Sequence, residues 1–153
     1  KKLNFDLIIF PGGCDINKKK INLKRIETEK RILRFAIAKK IPIVGICHGM
    51  QLINIFFHGK LSKLRGYMKR EIKININEKS LFKKKVVKVK CYHNYGVKKD
   101  FLGKGLTIIA DDKNDNIKKI KHKNKKIFGF MFHPEREKNY LKLDKIINFV
   151  LKT

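Results

Sequence analysis

Residues 43–51 read Ile-Val-Gly-Ile-Cys-His-Gly-Met-Gln, and no other stretch restricts the chain as much. An apolar strand (Pro42 to Ile46) runs into an apolar helix (Met50 to Phe57), with Cys47 between them in Gly45-x-Cys47-x-Gly49. A sharp strand-to-helix turn around a reactive side chain is a nucleophile elbow, here with sulfur in place of a serine oxygen. The two glycines permit the tight turn. The turn places the sulfur at a helix N-terminus, where the macrodipole and free N–H groups favour a thiolate. A lone cysteine more often simply ends a buried strand. The flanking glycines and the strand–turn–helix context favour the nucleophile.

Residues 127–135, Ile-Phe-Gly-Phe-Met-Phe-His-Pro-Glu, supply what a thiol needs. A strand runs out at His133-Pro134-Glu135, and in extended chain residues i and i+2 share a side. His133 can then serve as base while Glu135 fixes its tautomer and stabilises the imidazolium. Alone, His-x-Glu at a strand end reads more often as surface loop; beside the Cys47 elbow each signal strengthens the other.

With Pro11-Gly12-Gly13-Cys14-Asp15, Pro42-x-x-Gly45-Ile46-Cys47-His48-Gly49-Met50-Gln51, Cys91-Tyr92-His93-Asn94 and Gly129-x-x-x-His133-Pro134-Glu135 in this order, the chain resembles the class I glutamine amidotransferase family. More narrowly it resembles the gamma-glutamyl-hydrolase (peptidase C26) branch. The resemblance spans nearly the whole chain. It implies a flavodoxin-like α/β fold: a mostly parallel central sheet, helices on both faces and an antiparallel extension. It implies a Cys47–His133–Glu135 triad and an oxyanion hole of backbone N–H groups near Gly13 and His48. Cys14 and Gln51 would border the pocket, and His93 and Asn94 would lie on a loop beside the substrate. No metal or organic cofactor is implied. Relatives often carry Arg or Tyr where His48 stands. They also begin with a strand and helix ahead of the Gly-Gly loop, whereas ten residues precede Pro11 here. An N-terminal portion is therefore expected to be missing.

At 153 residues the chain reads as one domain, able to bury about two-thirds of its unfolded surface. Three cysteines without close-spaced pairs argue against a disulfide framework or a zinc site and fit a reducing cytoplasm. Cys14 and Cys91 read as small packed residues. No apolar run approaches the roughly 18 residues of a membrane span. No charged-then-apolar leader is visible, though a missing N-terminus would hide one. A net charge of +26 suits nucleic acid, an anionic surface or an acidic ligand. Yet lysines occupy every element, and no nucleic-acid motif accompanies them. The charge is therefore read as compositional bias whose field attracts anionic small molecules, not as specific nucleic-acid binding.

Strands are expected at Asp6 to Phe10, Glu71 to Ile76, Val86 to Lys90 and 107–110. A helix is expected at 24–39, with Ile26, Leu33, Ala36 and Ile37 at helical spacing, after a polar loop at 14–22. Segments 117–121 and 127–132 form a hairpin around His122, and Leu143, Ile146, Ile147 and Val150 give a last helix one apolar face. Glu29 reads as solvated surface, Asp15 as a brace for the glycine loop, and the His48 side chain as packed or solvated. His58 and His122 read as surface.

The chemistry implied is acyl transfer through a thioester on Cys47, with a small gamma-glutamyl substrate, anionic if it carries a nucleotide. Three function classes follow: a stand-alone hydrolase releasing glutamate, a glutaminase subunit feeding ammonia to a separate synthase partner, and a silent partner-binding module. Within the first, His93-Asn94-Tyr95 and His133-Pro134-Glu135-Arg136-Glu137 resemble the gamma-glutamyl-CDP-amidate hydrolase group of capsule phosphoramidate biosynthesis. A serine-type α/β-hydrolase fits less well, because its acid precedes its histidine.

Overall fold

A computed structural model describes residues 4–16, 20–77, 85–137 and 142–152, the side chains of 20–22 excepted. The first elements are β1 (Ile8–Phe10), α1 (Lys20–Ala38), β2 (Ile43–Ile46) and α2 (His48–Phe56). After them come β3 (Ser62–Lys63), β4 (Met68–Ile76), β5 (Val86–Tyr92) and β6 (Tyr95–Lys98). The chain continues through β7 (Leu106–Asp112), β8 (Asn116–His122), β9 (Ile127–Phe130), a 3-10 turn at Pro134–Arg136 and α3 (Leu143–Lys152).

The strands form a sheet in the order β1-β2-β9-β8-β7-β4-β5, with β6 on β8 and β3 on β6. β1, β2 and β9 are parallel to one another, and every pairing from β8 onward is antiparallel. The α/β plan with an antiparallel extension stands, but among the described residues the parallel part is three strands and the extension is the larger share. Parallel neighbours need a crossover connection, usually a helix. β1-α1-β2 is one such unit, and β9 pairs in parallel with β2 after the chain has passed through the antiparallel extension.

The register explains the burial. Ile43 and Ile127 face one side, Val44 and Phe128 the other. On the first face α1 and α2 pack through Ile26, Leu33, Ala36, Leu52 and Ile53; on the second, α3 packs through Ile146 and Val150. β2 and β9, covered on both faces, are buried throughout, as parallel strands between helix layers are. The strands β3 and β6 were not among the expected elements. Of the polar loop expected at 14–22, residues 17–19 lie outside the described residues and 20–22 already belong to α1. No helix among the described residues is long and apolar enough to cross a membrane.

The carboxyl ends of β1, β2 and β9 lie side by side, and the segments that leave them carry Pro11–Cys14, Cys47 and His133. Parallel pairing is thus what gathers the three segments at one edge, where open α/β sheets place their sites.

Candidate active site

Cys47 joins β2 to α2 with φ 49° and ψ −100°, a conformation that side chains resist and that costs about 1–3 kcal/mol. Its N–H donates to the Phe130 carbonyl at 2.7 Å, which anchors the turn to β9. The strain sits on the cysteine, and the glycines serve a different purpose. A Cβ on Gly49 would lie 2.2 Å from the Phe10 carbonyl oxygen, and one on Gly45 would lie 2.6 Å from the Gly49 carbonyl. Both are needed so that α2 can start hard against β1 and β2.

The expected thiolate does not match the resting site. Burial pushes the Cys47 thiol up to about 12, and the Asp15 carboxylate adds to this. The backbone N–H of His48, directed at the sulfur, favours the thiolate but is outweighed. At neutral pH the sulfur holds its proton until a base removes it.

His133 is buried, and its Nδ1 lies 2.6 Å from Glu135 Oε1. Its Nε2 is buried without a hydrogen-bond partner among the described residues. The two candidates meet across Gly12: a Cβ there would lie 2.8 Å from His133 Cε1 and 3.8 Å from Cys47 Cβ. Only glycine leaves room for the imidazole. Burial alone would raise the Glu135 carboxyl. The hydrogen bond from His133, its own backbone N–H and the charges of His133 and Arg136 outweigh that and hold it below the usual carboxylate range. Glu135 is therefore anionic at neutral pH, as an orienter of His133 must be. Pro11, Gly12, Gly13, Tyr92, His133, Glu135 and Arg136 line a cavity of about 390 Å³ over this centre.

Gln51 is fully buried: its Oε1 accepts from Ile16 N–H at 2.9 Å, and its Nε2 donates to Asp15 Oδ1 at 2.7 Å and the Tyr95 carbonyl at 3.0 Å. Asp15 Oδ2 accepts from Asn94 N–H at 2.8 Å. Asp15 braces the glycine loop as expected. The amide of Gln51 is committed to the same brace rather than to a ligand.

Several expectations are corrected. Cys14 is exposed, not packed. His48 and Glu29 are both buried: His48 Nε2 lies 2.6 Å from Glu29 Oε2, and His48 Nδ1 lies 2.8 Å from the Cys14 carbonyl. Both ring nitrogens lie within hydrogen-bond distance of an oxygen. Arg25 bonds the other Glu29 oxygen at 2.7 Å and packs its guanidinium over Gly13. The residue after Cys47 thus ties α1 to the glycine loop. The signal was present, since Glu29 shares the face of Ile26, Leu33 and Ala36 on α1.

His93 does not lie beside the cavity. It is fully buried, stacked on Tyr67 with centroids 5.2 Å apart, and its Nε2 is 3.4 Å from Lys118 Nζ. Asn94 is exposed and is held through its backbone. A buried polar cluster that sequence reasoning missed explains this. Lys118 Nζ, fully enclosed, sits 3.4 Å from Asp112 Oδ2 and 3.8 Å over the Tyr67 ring. Asp112 also accepts from Tyr67 OH at 2.7 Å and from Asn114 and Asn116 backbone N–H groups. In a chain this rich in lysine, nothing in the spacing marks Lys118 and its buried neighbour Lys119 off from the exposed lysines.

The family model for class-I glutamine amidotransferases matches residues 1–153, and the chain belongs to that family. It is 32% identical over 134 residues to gamma-glutamyl-CDP-amidate hydrolase of Campylobacter jejuni, covering 85% of this chain and 62% of that one. It is likewise 32% identical over 131 residues to a glutamine-hydrolyzing GMP synthase subunit of Methanocaldococcus jannaschii, covering 84% and 63%. The chain thus spans about three-fifths of the length of these relatives. A Thermoplasma acidophilum protein provisionally named as a GMP synthase subunit superposes with a TM-score of 0.78 at 22% identity, covering 95% of this chain and 71% of that one.

Proposed function

We propose that Cys47, His133 and Glu135 form a triad that cleaves a gamma-glutamyl amide and releases glutamate. The observation that carries this is His133: Nδ1 is locked on Glu135 while the buried Nε2 is left open next to the elbow cysteine. Nε2 takes the Cys47 proton as the sulfur attacks the gamma-carbonyl, so a thiol with a raised pKa needs no standing thiolate. Backbone N–H groups of Gly13 and His48 hold the oxyanion. The C–N bond breaks as Nε2 returns the proton to the departing nitrogen. Water, deprotonated by His133, then opens the thioester and restores the thiol.

Likeness to the Campylobacter jejuni hydrolase makes gamma-glutamyl-CDP-amidate the first substrate to test, in a small-molecule hydrolysis that needs no partner. The likeness to a GMP synthase subunit supports a second reading, a glutaminase that serves a synthase. Glutamate release from gamma-glutamyl-CDP-amidate and from glutamine, measured side by side, separates the two. Fast turnover of the conjugate alone supports the hydrolase. Slow release from both, rising only when a synthase is added, supports the glutaminase.

A further inference from the structure

The cavity lined by His133 and Glu135 has a rim whose chemistry the triad does not use. Arg136 follows Glu135 in the 3-10 turn, and its Cζ lies 4.4 Å from the centroid of the Tyr92 ring. Tyr92 in turn sets its edge against the His133 imidazole, with centroids 5.4 Å apart at 89°. The contact with Tyr92 holds the guanidinium at the lining of the cavity, where the side chain remains 51% exposed. Its Nε is 3.9 Å from Glu135 Oε1, an ion pair too long for a hydrogen bond.

Residue choice points the same way. Of 39 basic residues only six are arginine; one of them, Arg136, lines this cavity, while Arg25 packs on Gly13 and pairs with Glu29. Lysine satisfies a solvated surface equally well. A planar fork held on an aromatic ring suits bidentate capture of a phosphate or carboxylate.

Resting on the triad reading above, we propose that Arg136, held over Tyr92, is the specificity-determining residue for the departing half of the substrate, and that it binds a phosphate carried close to the scissile nitrogen. A charge-assisted pair of this kind discriminates by about 10- to 100-fold. The anion meets Glu135 as well, and Arg136 offsets that repulsion.

The test compares wild type, Arg136→Gln, Arg136→Lys and Tyr92→Leu on gamma-glutamyl-CDP-amidate and on an uncharged gamma-glutamyl anilide, with thermal melts confirming folding. Arg136→Gln should lose about 10- to 100-fold in kcat/KM on the phosphate conjugate, chiefly in KM, and stay within about threefold on the anilide. Arg136→Lys and Tyr92→Leu should fall between. Equal losses on both substrates would mean that Arg136 acts only through Glu135, and no loss on either would remove it from recognition; each overturns the proposal. If wild type cleaves neither compound, the triad reading fails separately, and the subsite is still tested by protection. In a Cys14→Ser background, pyrophosphate should slow iodoacetamide alkylation of Cys47 at alkaline pH in wild type and not in Arg136→Gln. Absence of protection in wild type would overturn the subsite.

Discussion

Glu135 illustrates how much one atom's placement decides. Glu135→Gln keeps an oxygen for His133 Nδ1–H but cannot stabilise the imidazolium that the proposed triad would form on taking the thiol proton. kcat should fall by about 10²- to 10⁴-fold with KM little changed, whereas Cys47→Ala should abolish turnover. Steady-state kinetics on whichever gamma-glutamyl substrate the wild type accepts checks this. A Gln variant of undiminished kcat would show that another group orients His133. The Cys47, His133 and Glu135 candidates were legible because they sit at the ends of short, strongly apolar strands with glycine and proline punctuation. His48 and Glu29 were not paired in advance, because their contact depends on how α1 lies across α2.

The strand–turn–helix element is held by close backbone approach. Gly49→Ala places a methyl 2.2 Å from the Phe10 carbonyl oxygen, a backbone atom that cannot swing away. The expected loss is about 1–3 kcal/mol or more, read as a lower urea midpoint. An unchanged midpoint would mean that α2 can shift off β1. On the extension, Lys118→Met leaves Asp112 buried without its cation. Breaking such a pair costs about 3–5 kcal/mol, and here the low end is expected because Tyr67 and the Asn114 and Asn116 N–H groups still serve the carboxylate. Adding Asp112→Asn should recover part of the loss, and a double-mutant cycle measures how much. Additive losses would show that the pair is not coupled. Strand alternation was readable on this extension; the burial of both Lys118 and Lys119 was not, since alternation leaves one of two adjacent side chains outside unless both faces of the strand are covered.

For the molecule as a whole, acid is the revealing variable. His93 is pushed down to about 3, first by burial and then by the Lys118 charge. An unfolded histidine titrates near about 6.5. Between these values the unfolded chain binds a proton that the folded chain refuses. The histidine's contribution is therefore intact above the unfolded value and lost as pH falls toward 3. For Asp112 burial acts to raise the carboxyl, but Lys118, Tyr67 and backbone N–H groups outweigh it and lower it overall. Its contribution is present above the unfolded carboxylate value and is lost below it, in the same direction. Urea midpoints from pH 7 to 4 should fall with a limiting slope of about 1.4 kcal/mol per pH unit from His93. His93→Phe, which keeps the stack on Tyr67, should flatten that window. Equal slopes in both proteins would reject His93 as the acid-sensitive group.

From the sequence by itself came the elbow, the glycine loop, the His-Pro-Glu strand end and the α/β plan, because each is a local pattern: periodicity, turn chemistry and short-range spacing. Tertiary structure alone decided the rest. It set the proportion of antiparallel strands, the strands β3 and β6, the burial of His93 and Lys118, the Arg25–Glu29–His48 link and the raised Cys47 thiol. These depend on which distant surfaces exclude water from a given side chain. Desolvation is a property of the packed interior, and no spacing along the chain encodes it residue by residue.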